Sequence, residues 1–158
     1  MKIGILSDTH DNLPMIAAAV GMFTAARVGF VLHAGDFVAP FTLDILNKLS
    51  CDWAGVFGNN DGEHAGLIEK SAGRITPPPS RMVMEGRRIT VVHNPAVLTI
   101  AAEEADLVVY GHTHKPNISR AGGKLVVNPG ECSGWMSGVA TIATVDLAAM
   151  TAEIITIP

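Results

Sequence analysis

The chain has 158 residues with a formal charge of −4, 48% hydrophobic and 5% aromatic residues, and its mean hydropathy is +0.33. That size suits one domain with an aliphatic core, and the lack of a Lys/Arg cluster argues against a surface that grips nucleic acid. The apolar runs stop well short of the ~20 residues of a bilayer span and Met1 leads straight into a strand without a signal-type segment, so the expectation is a soluble, cytoplasmic protein with no membrane partner.

An apolar run over residues 2–7 predicts the first strand. Asn12 is placed to cap a helix and Pro14 suits its first turn, so the Ala-rich segment 15–26 reads as helix, ending before Gly29. Residues 28–33 predict a second strand, 40–49 an amphipathic helix, 52–57 a third strand and 63–71 a poorer helix. Buried strands linked by helices indicate a parallel α/β half. Residues 76–79, with three consecutive prolines, can be neither helix nor central strand and mark a change of regime. Beyond them, 81–85 and 87–92 alternate around Glu85-Gly86, a hairpin signal. A short helix is expected over 96–104 and a strand over 106–110. The last third reads as strands near 117–120, 124–128, 138–146 and 152–157, with turns at Gly122-Gly123 and Ala148-Ala149. Cys51 and Cys132, widely separated, are expected as free thiols.

Seven metal-capable side chains follow five of the apolar runs: Asp8 and His10, Asp36, Asn59, His93, and His112 with His114. Open α/β sheets place their chemistry at the carboxyl ends of strands, so these ends converging would gather all seven groups in one crevice. Oxygen and imidazole donors in that number exceed what one divalent ion takes, which points to two ions sharing a bridging carboxylate. Such a mixture disfavours Mg alone and leaves Mn, Ni, Zn or Fe, with Mn favoured. Asp-x-His at 8 and 10 puts two side chains on one side of an extended segment. His112 and His114 repeat that spacing, with Gly111 giving the backbone room to turn. Because these residues fall on both sides of the triproline, residues 1–158 are read as a single domain.

The motifs stand in the order DTH (Asp8 to His10), GD (Gly35, Asp36), GNND (Gly58 to Asp61), a lone His93, and GHTH (Gly111 to His114). In that order they resemble the calcineurin-like metallophosphoesterases, and the NPG loop at Asn128, Pro129 and Gly130 is similar to that of the small bacterial and archaeal phosphodiesterases. The resemblance implies an α/β fold, a two-sheet β-sandwich flanked by helices in four αββα layers. It also implies hydrolysis of P–O ester bonds in a small phosphodiester by a metal-bridging hydroxide. One ion would take Asp8, His10, Asp36 and His114, and the other Asp36, Asn59, His93 and His112, with Asp36 bridging. Asp36, Asn59, His93 and Asp61 form the implied catalytic set. A homodimer or larger homo-oligomer is expected, because short relatives commonly self-associate and the apolar content is high. The alternatives are a protein-interaction scaffold on the same fold, as in the retromer subunit, and a phosphomonoesterase. A nuclease is weaker still, given the acidic balance.

Around that set, Asp11 and Asp61 are placed to hold loop backbone or imidazole N–H groups, although Asp11 would equally serve as a helix cap. His33 is read as core and His64 as a surface helix residue. Three positions depart from the family pattern. Asn60 stands where many relatives carry a His that assists the leaving group, and an amide gives up no proton near neutral pH. Asn94-Pro95 replaces the Gly that often follows the lone His. Glu131 replaces the Ser that often follows NPG. Near the phosphate, Glu131 would repel a dianionic monoester, and Trp135 could stack on a base or an aromatic leaving group; a turn role for Glu131 and core packing for Trp135 stay open.

Overall fold

A strand covered on both faces must be apolar along its whole length, and the unbroken apolar runs do become the central strands of two sheets. The computed structural model describes residues 1–158, the side chain of Ala101 excepted. In chain order the strands are β1 (Lys2–Leu6), β2 (Phe30–His33), β3 (Asp52–Val56), β4 (Ile75–Thr76), β5 (Ser80–Met84), β6 (Arg87–Val91), β7 (Leu107–Val109), β8 (Asn117–Ala121), β9 (Lys124–Asn128), β10 (Thr141–Asp146) and β11 (Thr151–Thr156). The first sheet runs β11-β10-β1-β2-β3-β4 and the second β5-β6-β7-β9-β8. β1 to β4 are parallel, with Ile3 beside Phe30 and Phe30 beside Asp52. β6, β7 and β9 form the parallel centre of the second sheet.

The sheets face each other across an aliphatic layer in which Ile3, Ile5, Leu32 and Val56 meet Ile89, Val91, Leu107 and Val127. Each such buried side chain stabilises the fold by roughly 1.5–3 kcal/mol relative to exposure. The other face of the first sheet is covered by α1 (Leu13–Ala25), α2 (Leu43–Leu46) and α3 (His64–Lys70), through Phe23, Leu43, Leu46 and Leu67. Gly4 lets α1 approach closely, since a Cβ there would lie 2.6 Å from the Phe23 ring. The two-sheet sandwich with flanking helices expected from the resemblance is therefore the fold of this chain.

Several elements differ from the sequence reading. The helix expected over 40–49 is a 3₁₀ turn, Pro40–Thr42, leading into a four-residue α2. It stops where the Asn47 side chain turns to accept from Trp53 Nε1 at 3.2 Å and to donate to the Lys70 carbonyl. The helix expected over 96–104 is two 3₁₀ turns, Pro95–Val97 and Ile100–Ala102, separated by an extended Leu98. Those turns are the only helical cover seen on the outer face of the second sheet among the described residues, with Ile100 resting against Ala105, Val108 and Val126. β4 falls where the sequence reads as a break, and it exists because Ile75 pairs with Gly55. β10 begins at 141 rather than 138, because Gly138 takes a left-handed φ of 77°. Both cysteines are free. Among the described residues no helix is long and apolar enough to cross a membrane.

Candidate metal centre

The loops that carry the candidate ligands are turns, not extended segments. Asp8 (φ 53°), His10 (φ 40°), Asp36 (φ 61°), His112 (φ 67°) and His114 (φ 59°) all adopt left-handed backbone. This corrects the reading of Asp8/His10 and His112/His114 as alternate residues of one extended face. Left-handed residues two apart aim their side chains together by curling the chain instead. Asp and His tolerate this region better than most residues, and such conformations cluster at functional sites where surrounding contacts enforce them. Here the contacts are backbone bonds between the two loops: Asp8 N to Gly35 O (2.9 Å), Thr9 N to Asp36 O (3.0 Å) and His10 N to Asp36 O (3.2 Å).

His33 locks the same junction. Its Nδ1 accepts from Gly35 N at 3.1 Å, so Nε2 bears the proton and donates to Thr9 Oγ1 at 3.1 Å; that hydroxyl donates to the Asp36 carbonyl at 3.3 Å. The ring stacks on Phe37 with centroids 3.6 Å apart. Burial first of all, and then the neighbouring His93, holds its pKa well below the ordinary value, and it packs as a neutral core residue.

At the carboxyl ends of β1, β2, β3, β6 and β7 the structure brings all seven side chains into one linked set. Asp8 Oδ1 lies 3.2 Å from His114 Nε2 and 3.8 Å from His10 Nε2. Asp36 Oδ2 lies 3.6 Å from His10 Nε2 and 3.4 Å from His93 Nε2. Asn59 Oδ1 lies 2.9 Å from both His93 Nε2 and His112 Nδ1. Two groups, Asp8/His10/His114 and Asp8/Asp36/His93, have ligand atoms all within 4.8 Å of one another. The carboxylate common to those groups is Asp8, while Asp36 reaches a histidine on each side. Asp8, Asp36 and His93 are buried, and Asn59 and His112 are exposed, so the set opens to solvent on one side.

The chemistry of this donor set fits divalent cations. His93 Nδ1 donates to the Ala34 carbonyl at 2.8 Å, which turns the Nε2 lone pair toward two oxygens, those of Asn59 and Asp36. His114 repeats the pattern: Nδ1 meets Glu131 Oε2 at 3.2 Å and Nε2 faces Asp8 Oδ1. A lone pair facing carboxylate oxygens is repulsive unless a proton or a cation lies between them, and an acceptor behind each imidazole is the usual support of a metal-binding histidine. Asp8 Oδ1 and His10 Nε2 are, in addition, buried without a hydrogen-bond partner, a condition that buried polar atoms rarely sustain. Burial pushes the Asp36 carboxyl up, but His93 and Asn60 more than reverse it and hold it well below the carboxylate range. Asp8 raises the His10 pKa; burial pulls that of His93 down, and Asp36 outweighs it.

Of the neighbouring residues, Asp61, Asp11 and His64 take roles read for them from the sequence, and the others add contacts that it did not show. Asp61 Oδ2 accepts from Gly58 N (2.7 Å) and Asp36 N (3.1 Å), and Oδ1 from Val38 N (2.7 Å). Both its oxygens therefore hold loop backbone, one of the roles read for it from the sequence, and through Asp36 N it positions Asp36. Asp11 accepts from Ala39 N at 3.0 Å and ties two site loops together, while Asn12 caps α1. Asn60 donates its amide to Asp36 Oδ2 at 2.7 Å and its backbone N–H to Oδ1 at 2.9 Å, so it braces that carboxylate. His64 is an exposed residue at the start of α3, stacked on Phe57. Glu131 is buried behind His114 and also accepts from Ser133 Oγ and the Met136 and Ser137 N–H groups. Burial raises its pKa, yet these donors bring it down to about 2. Trp135 is not in the core: it is 65% exposed, with its indole N–H on the His10 carbonyl at 3.1 Å. The sequence reading passed over Ser7, whose hydroxyl donates to Asp8 Oδ2 at 2.6 Å; its one signal is a lone hydroxyl between an apolar strand and a ligand-type acid.

Comparison with known proteins places this geometry in a family. The family model described as Calcineurin-like phosphoesterase superfamily domain matches residues 1–150. A phosphodiesterase of Methanocaldococcus jannaschii is 38% identical over 154 residues, 92% of this chain and 93% of the relative. The solved structure of an archaeal phosphodiesterase superposes with a TM-score of 0.91 at 34% identity, covering 99% of each chain. Vps29 of Entamoeba histolytica, solved with zinc, superposes with a TM-score of 0.74 at 19% identity and full coverage of both chains, a likeness of fold alone. By its sequence profile, its close relatives and its fold, the chain belongs to the calcineurin-like phosphoesterase superfamily.

Proposed function

We propose that this chain is a phosphodiesterase that hydrolyses the P–O bond of a small phosphodiester with two divalent transition-metal ions. The observation that carries the reading is the pair of imidazole lone pairs, His93 Nε2 and His114 Nε2, each held from behind by an acceptor and aimed at carboxylate oxygens. Asp8, His10 and His114 would hold one ion and Asn59, His93 and His112 the other, with Asp36 between them. Ions so held activate water and neutralise charge on the phosphoryl oxygens. The curated relative named as a phosphodiesterase supports the substrate class.

The chain's own residues bind and orient. Asp61, Asp11 and His33 set the loop that presents Asp36, and Glu131 and Ala34 fix which ring nitrogen of His114 and His93 faces the site. Asn60 keeps its amide on Asp36 and has no proton to give an alkoxide. General-acid help is typically worth ~10²–10⁴-fold, so the reading favours esters whose leaving groups depart without it. The test pairs elemental analysis of protein purified without added metal with turnover of bis(p-nitrophenyl) phosphate and p-nitrophenyl phosphate. Two ions per chain and preferential cleavage of the diester are the expected result, and restoration of the stripped protein with Mn, Ni, Zn or Fe ranks the metals. Tightly bound metal without turnover of any phosphoester would refute it in favour of the interaction scaffold.

A further inference from the structure

Beside the candidate centre the chain closes a tight turn, with Gly138 N bonded to Gly134 O at 3.0 Å and Gly134 at a φ of 67°. The turn is anchored from beneath by Glu131, itself 1% exposed, which accepts from Ser133 Oγ and from the Met136 and Ser137 N–H groups. Its tip carries Trp135 and Met136, 65% and 79% exposed. Trp135 is tied to the centre by one hydrogen bond, from its indole N–H to the carbonyl of His10, whose ring lies 5.2 Å from that of His114. Met136 and Ser137 line a cleft of about 350 Å³ together with His112, Thr113, His114 and the cationic Lys115, and Trp135, the residue before Met136, stands just outside that lining.

We propose that this turn is the subsite for a flat aromatic ester group of the substrate, so that the substrate is a phosphodiester carrying an aryl group or a nucleobase. The inference rests on the phosphodiesterase reading for the location of the phosphate. An aromatic side chain already tied by a hydrogen bond has less conformational freedom to lose when a ring stacks on it, which is how preorganised contacts gain affinity. Exposed apolar side chains beside a charged centre are also what a ligand with an apolar body and an anionic head would cover. His112 and His114 line that cleft, so a phosphate at the centre and a ring against the turn would bind side by side.

The test is calorimetric binding of diphenyl phosphate, dimethyl phosphate and the dinucleoside monophosphate TpT to the metal-loaded protein, wild type and Trp135→Ala/Met136→Ala. Stacking on an aromatic is worth roughly a tenfold gain or more per ring. Diphenyl phosphate should therefore bind about tenfold more tightly than dimethyl phosphate, and the double variant should bring the two within about twofold. Trp135→Phe keeps a ring but loses the bond to the His10 carbonyl, so it should retain part of the preference, and an unchanged melting curve shows that the anchored turn remains folded. TpT binding with the same dependence on Trp135 identifies the ring as a nucleobase; a response to diphenyl phosphate alone identifies a simple aryl group. Equal affinities in the wild type, or a preference that survives the double variant, overturn the proposal. So does a double variant that keeps the preference but loses self-association by light scattering, which would make the turn a contact between copies. Phenol release is assayed in the same samples, so a chain that prefers diphenyl phosphate yet hydrolyses nothing refutes the catalytic reading and leaves this one standing.

Discussion

Removing the Asp61 carboxylate separates positioning from catalysis. In Asp61→Ala the N–H groups of Asp36, Val38 and Gly58 lose acceptors now at 3.1, 2.7 and 2.7 Å, around a residue only 4% exposed. An unsatisfied buried donor costs ~1–3 kcal/mol. Water entering the vacated space recovers part of that, and so does relief from burying a carboxylate whose pKa burial raises. The net loss should be ~3 kcal/mol, a large share of the ~5–15 kcal/mol that holds a domain folded. Asp61→Asn keeps one oxygen for Asp36 and Gly58 but sets an NH₂ against the Val38 N–H, a loss of ~1–2 kcal/mol. Urea unfolding in excess chelator measures both without any contribution from bound metal. A parallel metal titration should show the alanine variant weakened, because the Asp36 N–H is no longer tied down. If Asp61→Ala unfolds within about 0.5 kcal/mol of wild type and binds metal normally while turnover is lost, the positioning argument is wrong and Asp61 acts on substrate directly.

Asp36→Asn, which removes the negative charge of the carboxylate lying between His10 and His93, should lower metal content at both positions and abolish hydrolysis; two ions per chain with normal turnover would contradict its place between them. Gly111→Ala would drive a Cβ into Ser7 Oγ and to 2.8 Å from Asp8 Oδ2, so it should cost ~1–3 kcal/mol in chelator and weaken metal binding further; a variant indistinguishable from wild type would mean that the 110s loop shifts freely. Each ion at 100-fold over its Kd stabilises the folded chain by ~2.7 kcal/mol, so chelating two should lower Tm by roughly 10–20 °C at this size. A melting curve unmoved by chelator would count against a preformed centre.

The sequence by itself determined the strand framework and the places where polar side chains follow it. Strands such as Leu107–Val109 and Lys124–Asn128 sit in a covered sheet, so their apolar runs had no other stable destination. A polar residue directly after such a run lies at the end of a strand, and ends of parallel strands share one side of a sheet; that is why seven ligand-type residues stood out by their places, while their division between two ions came from the family resemblance. Short elements were not legible. Ile75–Thr76 is a strand only because Gly55 is beside it, and the 96–104 helix gave way to two 3₁₀ turns as Glu103 was drawn to Arg81 and Thr90. The tertiary structure alone decided how the site is held. The left-handed turns at Asp8, His10, Asp36, His112 and His114 persist because backbone bonds from distant loops enforce them, and no local propensity announces that. Asp61 reaches Asp36 across 25 residues and Glu131 reaches His114 across 17. Local patterning records which side chains must be buried; which acceptor stands behind which histidine depends on loops that meet only when the sheets are packed.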